Sequence, residues 1–190
     1  MRPSSGGVPM TAPASTDLVA RLEALEARVR ELEDVREIND VFRRWHYACT
    51  GGFNGIPTHR TLEGIDLLTD DATIEVQGLH QPGGGPHGRE ELLAYFKPYH
   101  GPEGLLPRVF QTGVDYGVTV TGDTAVQDSN LIILTGYNNG NAAFSMSRYR
   151  NSYRRTEQGW RITRIGLEQG YTVPLESLQT AAEYFASMPQ

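Results

Sequence analysis

With a single cysteine among 190 residues, the chain has no internal disulfide and no thiolate-rich metal site. No apolar run approaches the roughly 18 residues of a membrane span. The opening stretch, MRPSSGGVPMTAPASTD, lacks the apolar segment of a secretory signal. Basic residues are the minority, 17 against 23 acidic, for a net charge of −6. That balance disfavours nucleic acid or an anionic membrane as the main partner. No internal repeat is visible. What remains is a globular composition, 38% hydrophobic and 21% charged, sufficient for one domain and a tail. The expectation is a cytoplasmic protein whose residues 1–16 form a disordered tail.

Asp17 is a suitable N-cap for the segment that follows. Leu18, Leu22, Leu25, Val29 and Leu32 recur at alternating spacings of four and three, with Glu and Arg on the flanks. This is the apolar seam of a helix over 17–33, but a seam of only about two heptads. Such a helix packs on its own domain or a sister subunit, or else serves a dedicated partner. A second apolar stripe, Ile38, Val41, Phe42, Trp45 and Cys49, continues in the same helical stretch and has the spacing of a core face. Gly51-Gly52 ends it. His46 flanks the stripe and either lines a cavity or is satisfied by its neighbours. Tyr47 lies roughly opposite the stripe, towards solvent or a neighbouring molecule, and Cys49 reads as a small core residue.

A short helix over about Arg60 to Leu68 leads into a strand at about Ala72 to Gln77. QPGGGPHG is a loop, and REELLAYFKPY a helix with Leu92, Leu93 and Phe96 on one side. From Arg108 four long strands are separated by TGD, NNGN and EQG, each a hairpin turn signal. A closing amphipathic helix is expected over about Leu175 to Ser187, within a C-terminal segment 175–190. Helices first and an antiparallel meander second make an α+β layout, with the helices on one face of a curved sheet.

TDDATIEV, GREELLAYF, VTVTGDTA and RYRNSYRRTEQGWRITRI, in this order and spacing, resemble the SnoaL-like branch of the nuclear transport factor 2 superfamily. The similarity runs from about Glu33 to Leu167, within a domain placed at 34–174. It implies a cone-shaped α+β barrel, a curved antiparallel sheet packed against N-terminal helices, here with an extra N-terminal Leu-rich helix. It also implies an apolar cavity, a homodimer or higher homo-oligomer, and an apolar small molecule as partner. Members include polyketide cyclases, ketosteroid isomerases, dehydratases and epoxide hydrolases. Others are binding or assembly modules, so function has to come from the pocket.

In dehydratase-like members the first helix carries a tyrosine and, five residues on, an aspartate. Here those places hold Trp45 and Thr50, and a threonine is no base near neutral pH. The usual histidine on the second strand falls near Gln111, and a common asparagine four residues later falls on Asp115. The place of the ketosteroid isomerase base falls on Val76, which excludes that chemistry. Asp115 is then the main ionisable candidate, since an apolar cone raises a carboxyl's pKa into the range useful for proton transfer. Strand alternation complicates this: Phe110, Thr112, Val114, Tyr116, Val118 and Val120 form the apolar parity, and Gln111 and Asp115 the other. Asp115 reaches a cavity only if a bulge switches the phase or if the cavity face is the polar one.

Tyr149, Asn151 and Tyr153 share one parity of their strand and Arg148, Arg150 and Arg154 the other. The arginines read as a solvated or subunit-facing surface. Asn151 between two phenols could orient a carbonyl or hydroxyl, or be satisfied by backbone while the tyrosines fill core. Trp160 and Ile162 read as core. His80 and His87 form no metal-ligand pattern, and PGGGPHG lacks the Lys-Ser/Thr of a phosphate loop. The resulting expectation is a cyclase, dehydratase or isomerase working without cofactor or metal. Asp115 and Gln111 would be catalytic, and Trp45, His46, Thr50, Tyr149, Asn151 and Tyr153 would bind substrate. The rival is a non-catalytic binder or accessory subunit of the same fold.

Overall fold

In the computed structural model, residues 15–53, 55–176, 178 and 186–188 are described, with backbone alone at 15, 16, 115 and 116. The residues form two compact units, one ending at Glu33 and the other beginning at Asp34. Most of the expected N-terminal tail and closing helix lies outside the described residues.

Helix α1 runs over Ser15–Cys49, so the Leu seam and the core stripe belong to one uninterrupted helix. In the first unit the seam side chains are exposed. In the second, Ile38, Val41, Phe42, Trp45 and Cys49 are buried, as their helical spacing requires. The remaining elements are α2 (Thr61–Ile65), β1 (Leu68–Val76), α3 (Gly88–Phe96), β2 (Arg108–Thr121), β3 (Thr124–Gly136), β4 (Ala142–Thr156) and β5 (Gly159–Leu175). The sheet order is β1-β5-β4-β3-β2.

β2 to β5 form the antiparallel meander that the three turn signals announce. Two details differ from expectation. β1 joins the free edge of β5 in parallel, pairing Ile74 with Ile165 and Val76 with Leu167, so the sheet is mixed. The long connection through α3 leaves the edge and direction of docking free, and sequence alternation carries no information on either. β5 also continues to Leu175, where a helix was expected to begin.

The core is one cluster in which α1 and α2 meet the sheet, with Trp160, Tyr153, Ile162 and Ile165 among its most buried members. Asp34 ties the start of this unit to the β4–β5 hairpin. Both of its carboxylate oxygens accept from Arg155 at 2.7 Å, and Trp160 Nε1 donates to Oδ1 at 3.1 Å. Glu37 Oε1 accepts from the Trp160 backbone N–H at 2.9 Å. The Arg155 guanidinium also lies 4.6 Å from the Trp160 ring centroid. Removing Asp34 leaves Arg155 only its exposed partner Asp123 at 3.0 Å and leaves the buried Trp160 Nε1–H without its acceptor. Asp34→Ala should therefore cost about 2 kcal/mol in urea unfolding. A change within about 0.5 kcal/mol, typical of surface sites, would mean that the clamp is ornamental.

Candidate active site

Where α1 ends, Gly51 exchanges two backbone hydrogen bonds with Val109, each 2.9 Å, and so fastens the helix end to β2. A Cβ on Gly51 would lie 2.7 Å from His59, so the glycine does more than stop the helix: it lets His59 pack beneath it. His59 stacks on His100, with ring centroids 4.1 Å apart and planes 7° from parallel. On its other flank His100 stacks on Phe96 at 4.7 Å. Its Nδ1 is 2.9 Å from Thr61 Oγ1 at the start of α2. His59 Nδ1 accepts from the Gly101 N–H at 3.3 Å, while its Nε2 is buried without a partner.

His100 is part of the wall of a cavity of about 310 Å³ between the helices and the sheet. The helical side supplies Trp45, Cys49, Tyr95, Phe96 and Tyr99; the strands supply Ile74, Val109, Gln111, Ile133, Tyr149 and Ile165. The wall is therefore mainly aromatic and aliphatic, with few polar groups, as suits an apolar ligand carrying one or two oxygens.

Burial dominates the electrostatics. It pushes the Cys49 thiol well up, against a hydrogen bond with Gln111 that lowers it. It raises the Tyr149 phenol too, aided by Cys49 and opposed by hydrogen bonds with Trp45 and Gln111. Burial, together with the neighbouring His59, brings His100 down to about 3, so at neutral pH the imidazole carries no charge.

Of the residues singled out in the sequence, Trp45, Gln111 and Tyr149 line this cavity. Trp45 Nε1 makes no well-formed hydrogen bond, although it lies towards the Tyr149 phenol. His46, Thr50, Asn151 and Tyr153 are buried behind the wall instead. The Thr50 hydroxyl donates to the His46 carbonyl at 3.0 Å, turned back onto its own helix. His46 is not satisfied by its neighbours. It sits among Phe42, Tyr149 and Gly113, neither ring nitrogen has a partner among the described residues, and burial lowers its pKa to about 4.

Tyr153 donates to Gln127 Oε1 at 2.6 Å, and Gln127 Nε2 donates to Asn39 Oδ1 at 2.9 Å. This buried relay fixes β3 and β4 to α1. Asn151 pairs with Gln127 in the strand register and is wholly buried. Neither of its amide atoms is in a well-formed hydrogen bond, although its closeness tempers the upward push of burial on the Tyr153 phenol. Arg148 and Arg154 face outward, paired with Asp128 and Asp71. Arg60 lies over the exposed Tyr47 ring, 3.3 Å from its centroid. Among the described residues, no group of three His, Cys, Asp or Glu side chains could hold a metal ion.

β2 carries a bulge. Val114 pairs with Asn130 and Gly117 with Asp128, so Asp115 and Tyr116 together oppose Ser129. The bulge changes which parity faces inward. Before it Val109, Gln111 and Gly113 look towards the helices; after it Val118 and Val120 do. The inward place of Gly113 is forced, because a Cβ there would lie 2.5 Å from Phe42 Cζ. Of the alternatives that strand alternation leaves open, β2 has both a bulge and, before it, the polar parity inward. Asp115 lies on the bulge itself, and its side chain is outside the described residues.

His59 and His100 were missed in the sequence, where each stands in a loop without a metal or triad spacing. One signal was available for His100: the stripe Leu92, Leu93 and Phe96 reaches it at the next helical step. The His100 N–H does bond the Phe96 carbonyl at 3.0 Å. Nothing comparable points to His59.

Residues 30–166 match the family model of the SnoaL-like domain. Comparison with curated proteins gave no match. Among solved structures, an NTF2-like protein with a cystatin-like fold from Novosphingobium aromaticivorans is 22% identical, over 88% of this chain and 97% of that chain, with a TM-score of 0.64. A type 2 hexachlorocyclohexane dehydrochlorinase (LinA) is 17% identical, over 81% of this chain and 97% of that one, at 0.67. The type 3 enzyme from Novosphingobium barchaimii is 16% identical, over 81% and 98%, at 0.66. At these identities the likeness shows the fold.

Proposed function

The chain belongs to the SnoaL-like domain family, and on that premise we propose that it is a cofactor-independent cyclase, dehydratase or isomerase. Its substrate is an apolar, oxygenated small molecule of polyketide, terpenoid or steroid-like character. The observation that carries the reading is the uncharged His100 in the wall of a mainly aromatic and aliphatic cavity, whose other polar side chains include Gln111, Tyr149, Thr135 and Gln169. Thr61 engages Nδ1, which leaves Nε2 for a bound molecule. With Nδ1–H donating to the Thr61 hydroxyl, Nε2 has a free lone pair; burial makes the resting imidazole a weak base, and the negative charge developing on the substrate oxygen raises its affinity for the proton that leaves carbon. Gln111 and Tyr149 hold the substrate oxygen on which charge develops, and Trp45 supplies a flat wall. Such proton abstraction is common to isomerisation, elimination and aldol-type cyclisation. It also accords with the dehydrochlorinases of the same fold, whose name denotes an elimination.

The experiment is solvent exchange. The protein is incubated in deuterated buffer with ring compounds that carry carbonyl or hydroxyl groups, and products are read by mass spectrometry. Deuterium should enter at carbon next to the oxygenated centre, or a rearranged or dehydrated product should appear. Leu106→Trp, which fills the cavity from its wall, should abolish both. The second reading, a non-catalytic binder, is favoured by Thr50, whose hydroxyl is committed to the helix backbone at a place where relatives carry an acid. Micromolar binding of these compounds without exchange of any of them would decide for the binder.

A further inference from the structure

The first unit has an apolar face that is exposed among the described residues. Leu18, Leu22, Leu25, Val29 and Leu32 are between 51% and 64% exposed. Large aliphatic side chains that recur in line on a helix mark a surface that is normally covered. In heptad terms Leu18, Leu25 and Leu32 occupy d, and Leu22 and Val29 occupy a. Leucine at d, with a β-branched residue in one of the two a places, leans towards two strands.

The flanks identify what covers this face. Arg21 and Arg28 occupy g, while Glu26 and Glu33 occupy e. All four are exposed, and none makes an ion pair among the described residues. In a parallel pair of helices each g side chain meets the e side chain five residues on in its neighbour. Arg21 then faces Glu26 of a second copy, Arg28 faces Glu33 of a second copy, and symmetry gives both pairs twice. An antiparallel pair sets g against g and e against e, placing arginine on arginine and glutamate on glutamate.

We propose that the Leu18–Glu33 face is a homotypic docking surface that pairs with the same face of a second copy in a parallel two-stranded coiled coil. The helix is self-complementary in one orientation and self-repelling in the other. That property selects a second copy over an unrelated helix. The seam covers about two heptads, so its pairing depends on concentration and on the charged flanks.

The test is disulfide trapping in the full-length chain. Leu18 lies near one end of the seam, so Leu18→Cys meets its own counterpart only in a parallel register. The native Cys49 is buried, and burial suppresses its thiolate, so it does not compete. Under mild oxidation Leu18→Cys should give a covalent dimer. Adding Arg21→Glu and Arg28→Glu should slow trapping at least tenfold, and adding Glu26→Arg and Glu33→Arg to those should restore it. Association through the domain would raise the trapping rate of every variant alike, so the comparison with the charge-reversed proteins isolates the pairing of the helices. Trapping at the same rate in the charge-reversed protein would overturn the proposal. So would faster trapping between Leu18→Cys and Leu32→Cys chains than between two Leu18→Cys chains.

Discussion

Acidification from about pH 6.5 to pH 4 should destabilise the protein, and the loss should begin well above the carboxylate range. His46 drives this. Its folded pKa of about 4 lies below the value near 6.5 that an unfolded chain restores. Below pH 6.5 the unfolded chain therefore binds the extra proton and the folded one does not. The contribution is complete above pH 6.5, declines as pH falls, and reaches its floor near pH 4, where both states are protonated. The slope is about 1.4 kcal/mol per pH unit from this residue alone, or roughly 3 kcal/mol over the window. Burial shifts His59 and His100 in the same direction, which steepens the profile. The side chains packed on the His46 ring are Phe42 and Tyr149, and neither offers a negative charge to hold an imidazolium. The depressed carboxyls of Asp71 and Glu75 act in a lower window, because their unfolded values lie near 4.

Urea unfolding at half-unit steps of pH would measure the slope, and His46→Leu isolates its source. The substitution puts an apolar side chain of similar volume in its place and removes two buried nitrogens that have no partner among the described residues. It should reduce the acid slope by about one proton's worth and gain up to about 1 kcal/mol at pH 7. An unchanged slope would move the proton uptake to the other histidines. A large loss of stability at pH 7 would mean that the imidazole has a partner, such as a bound water.

The elements were legible in the sequence because each obeys a single period. The stripe from Ile38 to Cys49 repeats as a helix face, and the strands from Arg108 onward alternate between turns whose residues accept tight reversals. The orientation of β1 was not legible, because a connection that contains a helix permits either sense. The inner face of β2 was left open in the sequence for a different reason. Gly113 stands inward because Phe42 occupies the space of its side chain, and Gln111 because it bonds within the cavity wall. Neither residue looks interior by hydrophobicity, whereas Phe110 and Val114 do. The bulge after Val114 then returns Val118 and Val120 to the core, so that alternation is correct on one side of it and inverted on the other.

The site shows the same division. Trp45 and Tyr149 could be placed by periodicity, as both sit on regular elements with one buried face. The His59–His100 stack could not, because it joins the loop after α1 to the turn after α3, far apart in sequence. It exists because Gly51 admits His59 and because the α3 stripe continues to His100. The family resemblance implies an acid at the end of α1 and a histidine on β2, where this chain holds Thr50 and Gln111. His100, on the turn that trails α3, stands at neither of those places.

If His100 handles the proton, His100→Gln should lower kcat by about a hundred- to ten-thousandfold, the range typical of lost general acid–base catalysis, with KM little changed. Glutamine retains an amide able to bond Thr61, so the packing against Phe96 and the position of α2 should survive, as circular dichroism and the urea midpoint would verify. Thr61→Val should act more weakly, by about tenfold, because it frees the ring to turn without removing its nitrogen. His59→Phe preserves the stack but removes the neighbouring histidine that helps depress His100. It should therefore raise the pKa of the acid limb of the kcat profile while leaving activity at neutral pH largely intact. Asp115→Asn provides the opposing arm. Were that variant inactive and His100→Gln close to wild type in exchange, the proton would be handled at the β2 bulge, and the aromatic stack would be part of the wall alone.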